Sequence, residues 1–491
     1  MLAQLSSHPH LPAPEQLARI SHLLAILPVT SSLPVDCPAP QELQAALARR
    51  HKGIESLAKT PISASLPNGG LVVWCMLEEN KPRFEQFTHL RKAIHILLEE
   101  QPAQLDILVA GDSAFCQQAG EMATYVALAN GTPLPTLKQK DVPKALETLT
   151  LWGSRISETP GVLAEANLLA RTFTALPPNI LTPGAYRERL REMAADLDWQ
   201  IDEYDSDRLR DIGAGAFLAV ASGSDRDDAA IVRLSYQPKK AKREIALVGK
   251  GICFDTGGHN LKPAKYMAGM HEDMSGSAVA LGILLAASRL HLPVRIELWL
   301  ALAQNEISPQ AYRQGDVITA LDGTTIEIVH TDAEGRMVLA DTLALASREK
   351  PDLLIDFATL TGSMITALGT RYAGAFSCSA PLAELALAAG RESGERLCIF
   401  PMDEDYEEEL DSTVADIKQC TLESDADHIL AACFLKRFVG ETPWLHVDLS
   451  TASCKGGLGA LGTPQTGFGV AWGVEFIRRW LEEGNKLSST L

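Results

Sequence analysis

The chain has 491 residues, 46% hydrophobic and 22% charged; this length suits two or more domains with a large core, and the composition is of ordinary globular type. Its 62 acidic against 44 basic side chains give a formal charge of −18, which argues against a nucleic-acid partner held by broad electrostatics. The nine cysteines are dispersed and form no C-x-x-C pair, the pattern of buried thiols in a reducing compartment and not of a disulfide framework.

The opening stretch "MLAQLSSHPHLPAPEQLARIS" has no basic region ahead of an apolar core, so no secretory signal is expected. "ISHLLAILPV" is too short to span a bilayer and carries His22. A cytoplasmic protein without a membrane partner is the expectation. "GGLVVWCML" and "LDILVAG" read as strands, and "FTHLRKAIHILLEEQ" between them has helical spacing of apolar residues. This strand–helix–strand pattern predicts a small N-terminal α/β domain over residues 1–160, with no charged or phosphate-binding motif. Next, "ISETPGVLAEANLLARTFTALPPNILTP" reads as a helix stopped by prolines, and the domain boundary is placed near residue 160.

Over residues 161–491 strands and helices alternate: "REIALVG", "SGSAVALGILLAASRL", "RIELWLAL", "TTIEIVH", "VLADTLALAS", "DLLIDFA", "ILAACFLKRFV", "WLHVDLS". That alternation predicts a second, larger α/β domain with a mixed or mostly parallel central sheet covered by helices on both faces.

Within this domain, "EIALVGKGICFDTGGHNLKPAKYMAGMHEDMSGS" reads as a strand ending at Val248. Lys250 and Asp255 follow on a Gly-rich turn, then Lys262, then Asp273 just before a helix near Ser275. Farther on, "VHTDAEGRMVLADTL" sets Asp332, Glu334 and Arg336 at alternate positions between a predicted strand and a predicted helix. Alternate residues share a face only in extended chain, so the three are expected to converge at a strand-to-helix corner. The same run could also be an exposed acidic turn with a local ion pair. Carboxylates gathered in one cleft repel one another unless cations neutralise them, so three aspartates and a glutamate imply divalent metal, with two ions for this many acids. Oxygen-rich sites accept magnesium, manganese or zinc. There is no H-E-x-x-H or Cys/His zinc pattern, and the nearby His259, His271 and His330 are better read as hydrogen-bonded structural residues.

Taken together, "GKGICFDTGG", "LKP", "MAGMHEDMSG" and "TDAEGRMVLADTL" resemble the leucyl aminopeptidase (cytosol aminopeptidase) family of dimetal exopeptidases. "PPNILTP", "GAFLAVASGS", "AYRQGDVIT" and "DFATLTGSMITALG" agree, and the resemblance covers residues 165–475. It implies that Lys250, Asp255, Asp273, Asp332 and Glu334 hold two divalent ions, zinc or manganese, with magnesium as an alternative, and with Asp255 and Glu334 bridging. It implies Lys262 and Arg336 as catalytic residues, with Arg336 and the backbone of Gly335 and Leu360 holding a bicarbonate. It implies a first-residue pocket from Met270, Thr359, Leu360, Gly362, Ser450 and Ser453. Its activity would be release of the first residue, leucine by type, from peptides with a free amino terminus, by a metal-bridged water, in a homohexamer.

Several positions depart from the family pattern. His330 stands where Asn is usual, His259-Asn260 where Ile-Ser is usual, and His271 and Ser275-Gly276 replace Lys and Gly-Gly. Ser450 replaces Ala, and Ser453 a large apolar residue, so a wider, more polar pocket and a broadened first-residue preference are expected. Two other functions share these residues: a dipeptidase of the same dimetal class, for example on Cys-Gly, and a catalytically silent scaffold or regulator. The seven intact metal and catalytic positions argue against the silent form.

Overall fold

The computed structural model describes residues 2–423 and 425–488. It contains two compact units, one made of residues 1–168, 391–395 and 454–466 and the other of residues 169–390, 396–453 and 467–491. No helix among the described residues is long and apolar enough to cross a membrane. All nine cysteines are free thiols; Cys378 is exposed, Cys398 half-buried and the others buried.

The first unit is built on strands β1 (Gln4–His8), β2 (His22–Pro28), β3 (Ile62–Ser65), β4 (Leu71–Leu77), β5 (Gln104–Val109) and β6 (Thr148–Trp152). They lie in the order β1-β6-β5-β2-β4-β3, and every pairing is parallel except that of the edge strand β3 with β4. The interior strands are apolar throughout because both faces are buried. Leu24 and Ile26 enter one core cluster and Leu23, Ala25 and Leu27 the other, the two-residue alternation of a strand between two layers.

The second unit has an eight-stranded mixed sheet. Its strands are β7 (Gln200–Asp205), β8 (Ala230–Tyr236), β9 (Glu244–Asp255), β10 (Arg295–Asn305), β13 (Leu353–Ala358), β14 (Ala373–Phe376), β15 (Leu397–Ile399) and β17 (Trp444–Asp448). A separate small sheet holds β11 (Val317–Thr319), β12 (Thr325–Glu327) and β16 (Ile417–Lys418). The large sheet runs β15-β14-β17-β13-β9-β10-β8-β7, with β17, β13, β9 and β10 mutually parallel at its centre. Helices cover both faces. Ala246 and Val248 of β9 join the cluster that contains the helix Glu334–Arg348, while Gly249, on the opposite face, meets the start of the helix Ser275–Arg289.

Two expectations change here. Strand β9 does not stop at Val248 but runs to Asp255. Its glycines, which suggest a turn in the sequence, are sites of close approach: a Cβ on Gly249 would lie 2.5 Å from Ser277 Cα, and one on Gly251 2.6 Å from Leu302 Cδ2. The run "TTIEIVH" does form a strand, β12, but in the small sheet and not the central one.

Candidate metal centre

The carboxyl ends of the parallel strands β9, β10, β13 and β17 lie along one edge of the sheet, where ligands collect in open α/β folds. Asp255 is the last residue of β9, and its backbone register partner is Asn305, the last of β10. Lys250 lies within β9, Asp273 stands two residues before the helix Ser275–Arg289, and Glu334 is the first residue of the helix Glu334–Arg348. Carboxylate oxygens of Asp255, Asp273 and Glu334 all lie within 4.8 Å of one another. Lys250 Nζ is 2.8 Å from Asp273 Oδ2 and 2.9 Å from Glu334 Oε1, and donates to the Thr359 carbonyl at 3.0 Å. Lys262 Nζ joins Asp255 Oδ2 at 2.9 Å and Asp332 Oδ1 at 2.5 Å. The exposed-turn alternative for the run carrying Asp332, Glu334 and Arg336 fails, because Glu334 and Arg336 are each only 2% exposed.

Residues that the sequence did not single out hold this cluster in shape. Asn305 Nδ2 donates to Asp255 Oδ1 at 2.8 Å and to the Thr331 carbonyl at 3.1 Å. Asn260 and Thr331 exchange two bonds: the Asn260 amide donates to Thr331 Oγ1 at 2.8 Å, and the Thr331 amide to Asn260 Oδ1 at 2.9 Å. The turn carrying Lys262 is thereby stitched to the segment carrying Asp332. Thr359 Oγ1 donates to Asp273 Oδ1 at 2.7 Å. Asp448, at the end of β17, accepts from the Leu360 amide at 3.1 Å and from Thr361 Oγ1 at 2.7 Å, which fixes the loop behind Thr359. Among the departures from the family pattern, Asn260 is therefore structural. His330 accepts from the Asp332 amide at 3.3 Å, His271 is half-buried and His259 is exposed.

Four carboxylates and two ammonium groups leave the cluster with surplus negative charge. Burial drives the Asp273 carboxyl above its ordinary range, with Glu334 and Asp255 adding to the rise against the pull of Lys250. Asp332 is likewise raised by burial, with Glu334 and Asp255 reinforcing and Lys262 opposing. For both lysines burial would lower the pKa, but the surrounding carboxylates outweigh it and hold the ammonium form. Asp273 Oδ2 and Asp332 Oδ1 are buried, and each is met by a lysine ammonium, Lys250 at 2.8 Å and Lys262 at 2.5 Å. Buried, oxygen-rich and short of positive charge, this donor set suits hard or borderline divalent cations.

Arg336 departs from expectation. The helix begins at Glu334, so Arg336 lies in its first turn, and the alternate spacing does not put the three charged groups on one face. Asp332 and Glu334 face the lysines, whereas Arg336 bonds elsewhere. Its Nη1 donates to the Gln419 carbonyl at 2.9 Å, and its Nη2 to Asp427 Oδ1 at 2.7 Å. The guanidinium is 2% exposed, and its Nε has no partner among the described residues. The bicarbonate implied by the resemblance does not fit this arrangement: the guanidinium already has a carboxylate, and the Leu360 amide is committed to Asp448. Gly335 serves a different end, since a Cβ there would lie 2.7 Å from Lys250 Nζ.

Of the pocket candidates, Met270 and Thr359 are half-buried and Gly362 is exposed. Ser450 is buried, and its hydroxyl proton is already donated to the Tyr372 carbonyl at 2.7 Å, so it has no free donor for a substrate. Ser453 is exposed.

Residues 168–473 match the family described as "Cytosol aminopeptidase family, catalytic domain". A probable cytosol aminopeptidase of Stutzerimonas stutzeri (strain A1501) is 41% identical over 339 residues, 66% of this chain and 68% of that protein. In three such curated relatives the matched stretch spans 62–68% of the relative's own length. Among solved structures, the bottromycin maturation enzyme BotP in complex with Mn superposes with a TM-score of 0.80 at 30% identity, covering 94% of this chain and all of that one. A mutant of tomato leucine aminopeptidase superposes with a TM-score of 0.85 at 26% identity, covering 97% of this chain and 96% of that one.

Proposed function

The chain belongs to the cytosol aminopeptidase family of metal-dependent aminopeptidases, and on that premise we propose that it is a two-metal exopeptidase releasing first residues, leucine among them, from peptides with a free amino terminus. The observation that carries this reading is the buried convergence of Asp255, Asp273 and Glu334, flanked by Lys250, Lys262 and Asp332. In this reading Lys250, Asp255, Asp273, Asp332 and Glu334 would hold the two ions. Zinc and manganese are the proposed metals, with magnesium also compatible with the oxygen ligands. When bound, such a pair would supply Lewis acidity and lower the pKa of a bound water.

The chain's own groups supply the rest. Lys250 can join a metal only as the free amine, so it must release the proton that Asp273 and Glu334 now stabilise. Lys262 stays an ammonium between Asp255 and Asp332, placed to offset negative charge developing on the scissile carbonyl oxygen. The acid-rich site favours a free amino terminus, which confines cleavage to the first residue. The reading extends to a cytoplasmic homohexamer, for which light scattering of the purified chain is the check.

The decisive experiment strips metal with a chelator, verifies removal by elemental analysis, and reloads zinc, manganese or magnesium separately. Hydrolysis of leucyl-p-nitroanilide should vanish on stripping and return on reloading. Full activity of the verified metal-free protein would overturn the proposal.

A further inference from the structure

The Arg336 guanidinium is a buried cation in the same helical turn as Glu334. A buried charge requires a counter-charge, because an unpaired one is strongly destabilising. Here the counter-charge belongs to the chain. Asp427 opens the helix Asp427–Lys436 and places Oδ1 2.7 Å from Arg336 Nη2. Its position is built: Ala426 before it adopts a left-handed φ of 53°, and the next residue, His428, has its amide held by Ser363 Oγ at 2.8 Å and its ring Nδ1 at 3.0 Å from the same hydroxyl. An acidic side chain in a first helical turn is further favoured by the helix dipole. The second nitrogen of the guanidinium is fixed by the Gln419 carbonyl, and Gln419 in turn accepts from the Val329 and His330 amides at 2.9 and 3.1 Å, just ahead of Asp332.

We infer that Asp427 is the resident anion of Arg336: this protein carries in its own sequence the carboxylate that a dissolved bicarbonate would otherwise contribute, and its activity is independent of bicarbonate. The inference rests on the aminopeptidase reading only for its catalytic consequence; occupancy of the anion position is a separate property. Asp427 acts by pairing and orienting Arg336 and is a positioning residue.

The test compares wild type, Asp427→Gly and Asp427→Asn, each loaded with manganese, in carbon-dioxide-free buffer and in saturating bicarbonate. Wild type should bind no 13C-bicarbonate by NMR, show no bicarbonate-dependent thermal shift, and keep kcat/KM within about twofold between the two buffers. Asp427→Gly removes the anion and opens its place. In carbon-dioxide-free buffer it should unfold roughly 5–10 °C lower and lose about tenfold or more in kcat/KM, with bicarbonate binding and restoring both. Asp427→Asn keeps the volume without the charge, so it should lose activity and not be rescued. Stoichiometric bicarbonate on wild type, or an Asp427→Gly chain indifferent to bicarbonate, would overturn the inference. If the glycine variant does not fold, bicarbonate binding to wild type and the absence of rescue in the asparagine variant decide it. Failure of the aminopeptidase reading would look different, as no turnover by wild type in either buffer while the binding and thermal readouts still report on the anion.

Discussion

Gly335→Ala puts two physical effects in opposition at a known distance. Gly335 is the second residue of the helix Glu334–Arg348, and alanine in a helix is favoured over glycine by about 1 kcal/mol. Against this, an added Cβ would sit 2.6 Å from Lys250 Cε, 2.7 Å from Lys250 Nζ and 2.9 Å from Leu360 Cδ1. Carbon atoms settle at roughly 3.5–4.0 Å, so the lysine end must retreat by about 1 Å. Its Nζ is held at 2.8 Å by Asp273, 2.9 Å by Glu334 and 3.0 Å by the Thr359 carbonyl, and it is buried on all sides. A retreat of that size stretches at least one of these contacts to roughly 3.8 Å, outside hydrogen-bond range. Losing one charge-assisted bond costs about 1.5–3 kcal/mol, more than the helix gains.

The expected result is therefore a net destabilisation of roughly 0.5–2 kcal/mol. On the two-metal reading the functional loss is larger, since a misplacement of about 1 Å in a reacting site costs on the order of 100-fold in rate. The assay is kcat/KM on leucyl-p-nitroanilide with metal per chain measured on the same sample, beside thermal unfolding. Gly161→Ala, early in the helix Thr159–Ala175, is the control, because a Cβ there meets nothing within 4 Å. A Gly335→Ala chain with wild-type metal content and kcat/KM would refute the reasoning.

Lys262→Ala should lower kcat by orders of magnitude with metal content unchanged, as loss of a charge that acts on the transition state; an emptied metal site would instead make Lys262 a structural counter-ion. Ser450→Ala should cost about 1 kcal/mol of stability through the lost bond to the Tyr372 carbonyl and leave the ranking of first residues unchanged; a shifted ranking would return Ser450 to the pocket. Burial opposes charge on His446, but Asp356 at 2.6 Å outweighs it and raises the imidazole pKa above its ordinary 6.5. That charge therefore adds stability in full below pH 6.5, and the contribution is lost as pH rises through the raised folded value. The melting-temperature gap between wild type and His446→Gln should accordingly narrow as pH rises, and a gap constant with pH would exclude charge on His446 as its source.

What was legible in the sequence, and what was not, divides by physical cause. Apolar runs with two-residue or helical period gave away β4, β5, β9, β10, β13 and β17, because burial on both faces leaves few polar positions to confuse the pattern. The length of β9 was hidden because Gly249 and Gly251 mimic a turn while serving close contacts that exist only in three dimensions. Lys250, Lys262 and the four acids could be grouped from their places beside predicted strand ends, since carboxylates gathered there with two lysines still demand neutralisation. The direction of Arg336 could not. Whether residues two apart share a face depends on whether the chain is extended or helical at that step, and here the change falls at Glu334, between Asp332 and Arg336.

The partner of Arg336 was hidden more deeply. Asp427 lies 91 residues away in "ESDADHIL", where neighbouring acids read as a solvated run. Only the fold distinguishes it, by bringing the first turn of the helix Asp427–Lys436 against a guanidinium that water cannot reach. A charge pattern indicates that counter-charges are needed, but not whether the chain or the solution provides them. At the acid cluster four carboxylates face two lysine ammonium groups, so the balance among these side chains is negative and suits a cation from solution. At Arg336 the balance is closed within the chain, and a dissolved anion would have to displace a tethered carboxylate whose local concentration it cannot match.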